Sequence, residues 1–91
     1  MGLFSDLQEL EIEGSRIRLE ANMNLIGCEY YLIVNGMKQD QARGMLGTFY
    51  LHGRLDKGEE SNITVVIKQG ITGTKFSVHY KGQEFTPRKI H

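Results

Sequence analysis

The chain has 91 residues, with 11 basic side chains against 11 acidic ones. That length supports one domain around one core. A formal charge of zero disfavours a uniformly basic surface of the kind that binds nucleic acid or anionic membranes without selectivity.

The chemistry inventory is thin. The one cysteine, Cys28, has no partner for an intramolecular disulfide and fits a reducing compartment. The opening Met1-Gly2-Leu3-Phe4-Ser5-Asp6 lacks the basic and apolar regions of a secretory signal. Asp6 stands where a myristoylation signal needs Ser or Thr. The longest apolar run, Tyr30 to Val34, has the length of a strand rather than a membrane span. These features predict a cytoplasmic protein with no membrane partner. Cys28, His52, His79 and His91 are too scattered for a zinc-ligand spacing. Gly70-Ile71-Thr72-Gly73-Thr74-Lys75 lies between strand patterns and reads as a hairpin loop, not a phosphate cradle. No cofactor, metal or catalytic residue is expected.

Along the chain, residues 1–8 read as an N-terminal arm or a short helical turn, with Ser5 as a candidate cap and Gln8 three residues on. Glu9 to Glu13 alternates with period two, Leu10 and Ile12 on one side. Gly14-Ser15 is the expected turn. Arg16 to Ala21 returns with Ile17, Leu19 and Ala21 inward and Arg16, Arg18 and Glu20 outward. Glutamates of the first strand should therefore face arginines of the second and help set register.

Asn22 to Asn24 is expected as a loop. Cys28 to Val34 is the most apolar strand, with Cys28, Tyr30, Leu32 and Val34 on one face and Glu29, Tyr31 and Ile33 on the other. Asn35-Gly36 is a strong hairpin signal, and Met37 to Gln41 is the returning strand. Ala42 to Gly47 reads as the connection by which the chain changes sheets. Thr48 to Leu55 places Phe49, Leu51, Gly53 and Leu55 inward and Tyr50, His52 and Arg54 outward.

A polar turn covers residues 56–61. Asn62 to Gln69 turns Ile63, Val65 and Ile67 inward and Val66 outward. Residues 70–73 turn again. Thr74 to Tyr80 carries Phe76, Val78 and Tyr80 inward. Lys81-Gly82 is a tight turn, Gln83 to Thr86 a last strand, and residues 87–91 a frayed basic tail after Pro87.

The pattern predicts an all-β chain: a small antiparallel β-sandwich, or a partly open barrel, of seven to eight short strands. One sheet cannot bury its apolar face alone, so the sheet must fold over or close.

The zero charge is unevenly built. Residues 1–29 carry six acids and two bases, residues 30–60 four of each, and residues 61–91 one acid and five bases. Either the two chain ends are neighbours, or the surface is dipolar and suited to self-association.

Tyr31, Ile33, Tyr50, His52, Arg54 and Val66 all fall opposite the core face and form the candidate interaction patch. The reading that follows is a non-enzymatic protein-interaction module with a protein partner or a second copy. The alternative is a small nucleic-acid binder that stacks bases on Tyr and His and meets phosphates with the basic C-terminal third. An enzyme would need His52, His79 and a carboxylate to converge.

From Tyr30 to Phe85 the chain runs through an Asn35-Gly36-Met37-Lys38 turn, Gly47-Thr48-Phe49, Ile63-Thr64-Val65-Val66-Ile67, and Phe76-Ser77-Val78-His79-Tyr80-Lys81-Gly82-Gln83-Glu84. This order resembles the β-sandwich repeat of the Fas apoptosis inhibitory molecule family. Two departures stand out: the second turn reads Lys81-Gly82-Gln83, and the family's tryptophans are absent. The resemblance implies a non-catalytic sandwich working by protein contact, and it transfers no functional residue.

Overall fold

Short two-residue turns and period-two patterning give the described residues strands and no helix. A computed structural model describes residues 4–55, 61–71 and 73–90. They form β1 (Phe4–Ile12), β2 (Ser15–Met23), β3 (Cys28–Val34), β4 (Met37–Gly44), β5 (Gly47–Arg54), β6 (Asn62–Gln69), β7 (Thr74–Tyr80), β8 (Gln83–Phe85) and β9 (Arg88–Lys89). Two antiparallel sheets result, ordered β4-β3-β2-β1-β9 and β5-β6-β7-β8. The all-β expectation holds, as two open sheets rather than a closed barrel.

The inner faces meet in one core. Ile17, Leu19, Tyr30 and Leu32 of the first sheet and Leu51, Ile63, Val65, Ile67 and Val78 of the second are all at most 1% exposed. Each fills an inward position of the alternation, and full burial of such side chains stabilises by about 1.5–3 kcal/mol apiece.

The two ends of the sandwich differ. At one end β1–β2, β3–β4 and β7–β8 are joined by Glu13-Gly14, Asn35-Gly36 and Lys81-Gly82, with φ of 51° and 82°, 50° and 85°, and 49° and 77°. Positive φ at both central residues is the two-residue turn whose twist matches a hairpin. This is the turn end. Interlocking bonds tie the sheets there: Ser15 Oγ donates to the Leu55 carbonyl (3.0 Å), and the Tyr80 hydroxyl to Glu13 Oε1 (2.9 Å). At the other, loop end lie the start of β1 and the connections 24–27, 45–46 and 70–73.

Several expectations need correction. Of the N-terminal arm or helical turn expected over 1–8, residues 1–3 lie outside the described residues and the rest is strand: β1 pairs with β2 from Phe4↔Met23 to Ile12↔Ser15. Its alternation is masked in sequence because Asp6 and Gln8 take positions on the inner side. The first turn is Glu13-Gly14, one residue earlier than expected, because Ile12 pairs with the buried Ser15. Asn22 and Met23 belong to β2, and Ala42 to Gly44 to β4, so the sheet change takes only Met45-Leu46. The tail is not frayed over its described length: Arg88 and Lys89 pair with Glu9 and Gln8, and the Ile90 amide donates to the Leu7 carbonyl (2.7 Å). The chain ends are therefore neighbours, and the basic terminus meets the acidic one. The polar turn expected at 56–61 lies outside the described residues except for Ser61.

Two seams run between the sheets. Along β4–β5 no backbone ladder forms. A bulge opposite Leu32/Ile33 makes Gln39 an extra residue between Lys38 and Asp40, which re-aims its side chain. Gln39 Oε1 accepts from the Arg54 amide (2.6 Å), its Nε2 donates to the Arg54 carbonyl (2.9 Å), and Asp40 Oδ2 accepts from the His52 amide (2.8 Å). Side chains thus cap the exposed edge of β5. Gly53 makes room: a Cβ there would lie 2.7 Å from Leu32 Cδ2 and 2.9 Å from Gln39 Oε1. The second seam, between β1 and β7, is bridged near the turn end by β8, the buried Pro87 and β9. Toward the loop end it stays open.

Candidate functional site

The six residues of the candidate patch do lie opposite the core, but on two different sheets. Tyr31 and Ile33 sit on the outer face of the first sheet, while Tyr50, His52, Arg54 and Val66 sit on that of the second. They form two separate groups, not one surface, because β3 and β5 belong to different layers.

The first group is already engaged. The Tyr31 hydroxyl donates to Glu29 Oε2 (3.0 Å), Lys38 Nζ lies 5.2 Å from the ring centroid, and Arg43 pairs with Glu29 at 3.2 Å. The hydrogen bond and charge of Arg43, helped by Tyr31, hold the Glu29 carboxyl below its usual range. The bond to Glu29 in turn raises the Tyr31 phenol. Nearby, Arg18 pairs with Glu9 at 2.8 Å, as the glutamate–arginine reading expects. This face is an ion-paired surface with its aromatic ring half-buried and hydrogen-bonded.

The second group is more open. Register places Thr48, Lys68 and Lys75 in one cross-strand row, then Tyr50, Val66 and Ser77, then His52, Thr64, His79 and Glu84. Tyr50 is 57% exposed. His52 and His79 share a face and a row, but Thr64 stands between them, and its Oγ1 lies 3.5 Å from His52 Nδ1. Among the described residues no three His, Cys, Asp or Glu side chains are grouped to hold a metal ion.

The feature that sequence reading missed lies at the loop end. Leu25 and Ile26 are 89% and 81% exposed, Met45 and Leu46 65% and 61%, and Ile71 86%. They come from three connections far apart in sequence. Cys28 pairs with Gly44, which sets the 24–27 loop beside Met45-Leu46, and Gly47 pairs with Gln69, which sets the 70–73 loop beside them in turn. Of the other large exposed apolar side chains, Met37 lies at the turn end and Tyr50 and Ile90 on strand flanks. Among the described residues, five of the eight large exposed apolar side chains are thus gathered at the loop end.

Each loop is held in shape. Asn24 Oδ1 accepts from the amides of Ile26 (2.8 Å) and Gly27 (3.1 Å), and the Asn24 amide donates to the Gly27 carbonyl (2.9 Å). This Asx turn leaves Leu25 and Ile26 pointing outward. Gly27, at φ 151°, lies against Gly44, where a Cβ would stand 2.9 Å from the Gly44 carbonyl oxygen. The Phe49 ring occupies the space a side chain at Gly44 would need, which fixes the short sheet change. Gln69, 5% exposed, anchors the third loop: its Nε2 donates to the carbonyls of Gly70 (2.9 Å) and Gly73 (3.1 Å), and its Oε1 accepts from the Tyr30 hydroxyl (2.8 Å). Burial, then a hydrogen bond with Cys28, pushes the Tyr30 phenol well up.

Beside this end, in the open β1–β7 seam, is a crevice of about 120 Å³ lined by Asp6, Asn22, Cys28, Gln69, Thr74 and Lys89 among others. Asp6 Oδ1 is buried with no hydrogen-bond partner, while Gln8 Nε2 approaches Oδ2 at 3.4 Å. None of the five apolar loop residues lines the crevice; they project from the pole rather than surround a cavity. What this arrangement offers chemically is contact: a preorganised apolar tip on a rigid body.

No helix among the described residues is long and apolar enough to cross a membrane. No protein-family model, curated protein or solved structure matches the chain.

Proposed function

We propose that the protein is a non-enzymatic docking module that engages its partner through the loop end. The observation that carries this is the convergence of Leu25, Ile26, Met45, Leu46 and Ile71 from three loops onto one pole. Exposed apolar clusters are unfavourable for a solitary soluble domain and mark interaction sites. Preformed loops reduce the ordering cost of binding. The contact surface is therefore placed on the loops and not on the outer-face residues Tyr31 and Tyr50.

The test is site-specific photo-crosslinking in cells of the source. A photoreactive residue at position 25 or 71 should form adducts, and the same residue at position 31 or 50 should not. Adducts only at the two face positions would overturn the reading.

One observation favours a second reading. The outer face of the second sheet gathers Tyr50, His52, His79, Lys68, Lys75 and Arg54, the groups a single-stranded nucleic-acid binder would use for stacking and phosphate contact. Binding to a short RNA that weakens with salt and is lost on Tyr50→Ala would support it. No complex at low salt would remove it.

A further inference from the structure

The docking reading leaves the partner's chemistry open, and the loop end carries more than its apolar residues. Lys68 and Lys75 are directly opposite one another on β6 and β7, one residue from the 70–73 loop and its flanks. Both are exposed, and neither has an ion pair among the described residues. Like charges at directly opposed cross-strand positions destabilise a sheet. This pair therefore costs the fold stability unless an anion meets it. Arg43, at the end of β4, adds a third base, and its charge is already shared with Glu29 at 3.2 Å.

The geometry sorts the possible occupants. The loops 24–27, 45–46 and 70–73 contain no charged residue, and their apolar side chains project from the pole. A tip-to-tip second copy would bring the two lysine pairs toward each other, which electrostatics opposes. A fluid interface accepts protruding apolar groups without a matching cavity, and an anionic one satisfies the lysines behind them. Resting on the docking reading, we propose that the loop end docks on an anionic lipid surface. Leu25, Ile26, Met45, Leu46 and Ile71 enter the headgroup–acyl boundary, and Lys68 and Lys75 meet lipid phosphates or carboxylates. This proposal departs from the sequence-based expectation of no membrane partner, which rested on the zero net charge and on the lack of a spanning segment or lipid-anchor signal.

The chain has no tryptophan, so Ile71→Trp supplies a clean reporter at the tip, with Tyr50→Trp as a face control. The probes are phosphatidylcholine vesicles with or without about 30 mol% phosphatidylserine. On the anionic vesicles Ile71→Trp emission should shift to the blue and be quenched by brominated lipid, with Tyr50→Trp unchanged. Lys68→Ala/Lys75→Ala should weaken partitioning about tenfold or more on anionic vesicles and little on neutral ones. Leu25→Ser/Ile26→Ser, at exposed positions and checked for an unchanged melting curve, should weaken it about tenfold on both.

Folded protein that ignores anionic vesicles at low salt would overturn the proposal. So would binding that leaves Ile71→Trp unshifted, or a dimer in light scattering that Leu25→Ser/Ile26→Ser abolishes. Absent vesicle binding combined with protein adducts from positions 25 and 71 would overturn the lipid partner and leave the docking reading standing. Absent vesicle binding together with no adducts of protein or lipid at those positions would remove both.

Discussion

Replacing Gln69 by Leu should destabilise the protein by about 1–4 kcal/mol, more than its size-conserving chemistry suggests. Gln69 is 5% exposed and joins the two sheets through the Tyr30 hydroxyl, which belongs to a residue with no exposed surface. Leucine would leave that hydroxyl dry, with only the weakly bonding Cys28 thiol beside it, at about 1–3 kcal/mol. The carbonyls of Gly70 and Gly73 also lose their donor, but they lie in an exposed loop where water replaces it, so they add about 1 kcal/mol at most. For a domain of this size the sum lowers the melting temperature by roughly 5–30 °C. Tyr30→Phe should cost less, about 1 kcal/mol, because Gln69 Oε1 keeps the Thr74 hydroxyl as a donor. The double variant removes the orphan along with its partner, so it should be less destabilised than the sum of the singles by about 1 kcal/mol or more. Urea denaturation of the four proteins measures the cycle. Strict additivity, or a Gln69→Leu cost below about 0.5 kcal/mol, would refute the reasoning that one dry hydroxyl dominates.

Three further outcomes follow from contacts already described. Gly44→Ala should cost about 1–3 kcal/mol in chemical denaturation, because the Phe49 ring fills the site of the new methyl group. Glu29 titrates below its ordinary value of 4.5, so its pairing contributes stability above that value and loses it as pH falls through the lower folded midpoint. Carboxyl NMR titration should show the Glu29 midpoint moving up in Arg43→Ala, with the Tyr31 bond keeping part of the depression. Arg88→Glu would set like charges opposite at Glu9, weakening the β9 pairing by roughly 1 kcal/mol. Amide exchange at Ile90, whose N–H bonds to Leu7, should then accelerate about fivefold, with β2–β3 amides unaffected.

The strands legible in the sequence were those with apolar inward positions. Cys28–Val34, Asn62–Gln69 and Thr74–Tyr80 were read to the residue, because their alternation is uninterrupted and Asn35-Gly36 and Lys81-Gly82 fix their boundaries. The first half of β1 was illegible because Asp6 and Gln8 take inward positions, beside the polar crevice. The pairing of β9 was illegible because two residues carry no periodicity; only the charge imbalance between the chain ends pointed to it. The candidate patch failed as one surface because facing inward or outward says nothing about which sheet a strand joins. The apolar pole was missed for a related reason. Met45, Leu46 and Ile71 fall in segments read as a connection and a turn, Leu25 and Ile26 between a loop and a strand, and only register shows that these loops adjoin. A sequence signal did exist: apolar pairs in connections, where polar residues are the norm.

The clasp of β9 on β1 also orders events in time. Every other strand pairing joins chain neighbours, as two four-strand meanders, β1 to β4 and β5 to β8. Such local contacts close small loops and assemble early. The pairing of Gln8 with Lys89 instead closes a loop of nearly the whole chain, at an entropic cost met only once both meanders are in place. Substitutions in Pro87-Arg88-Lys89 should therefore speed unfolding while leaving the refolding limb of the chevron where it is. In kinetic terms the tail governs how long the folded state survives, and the hairpins govern how fast it is reached.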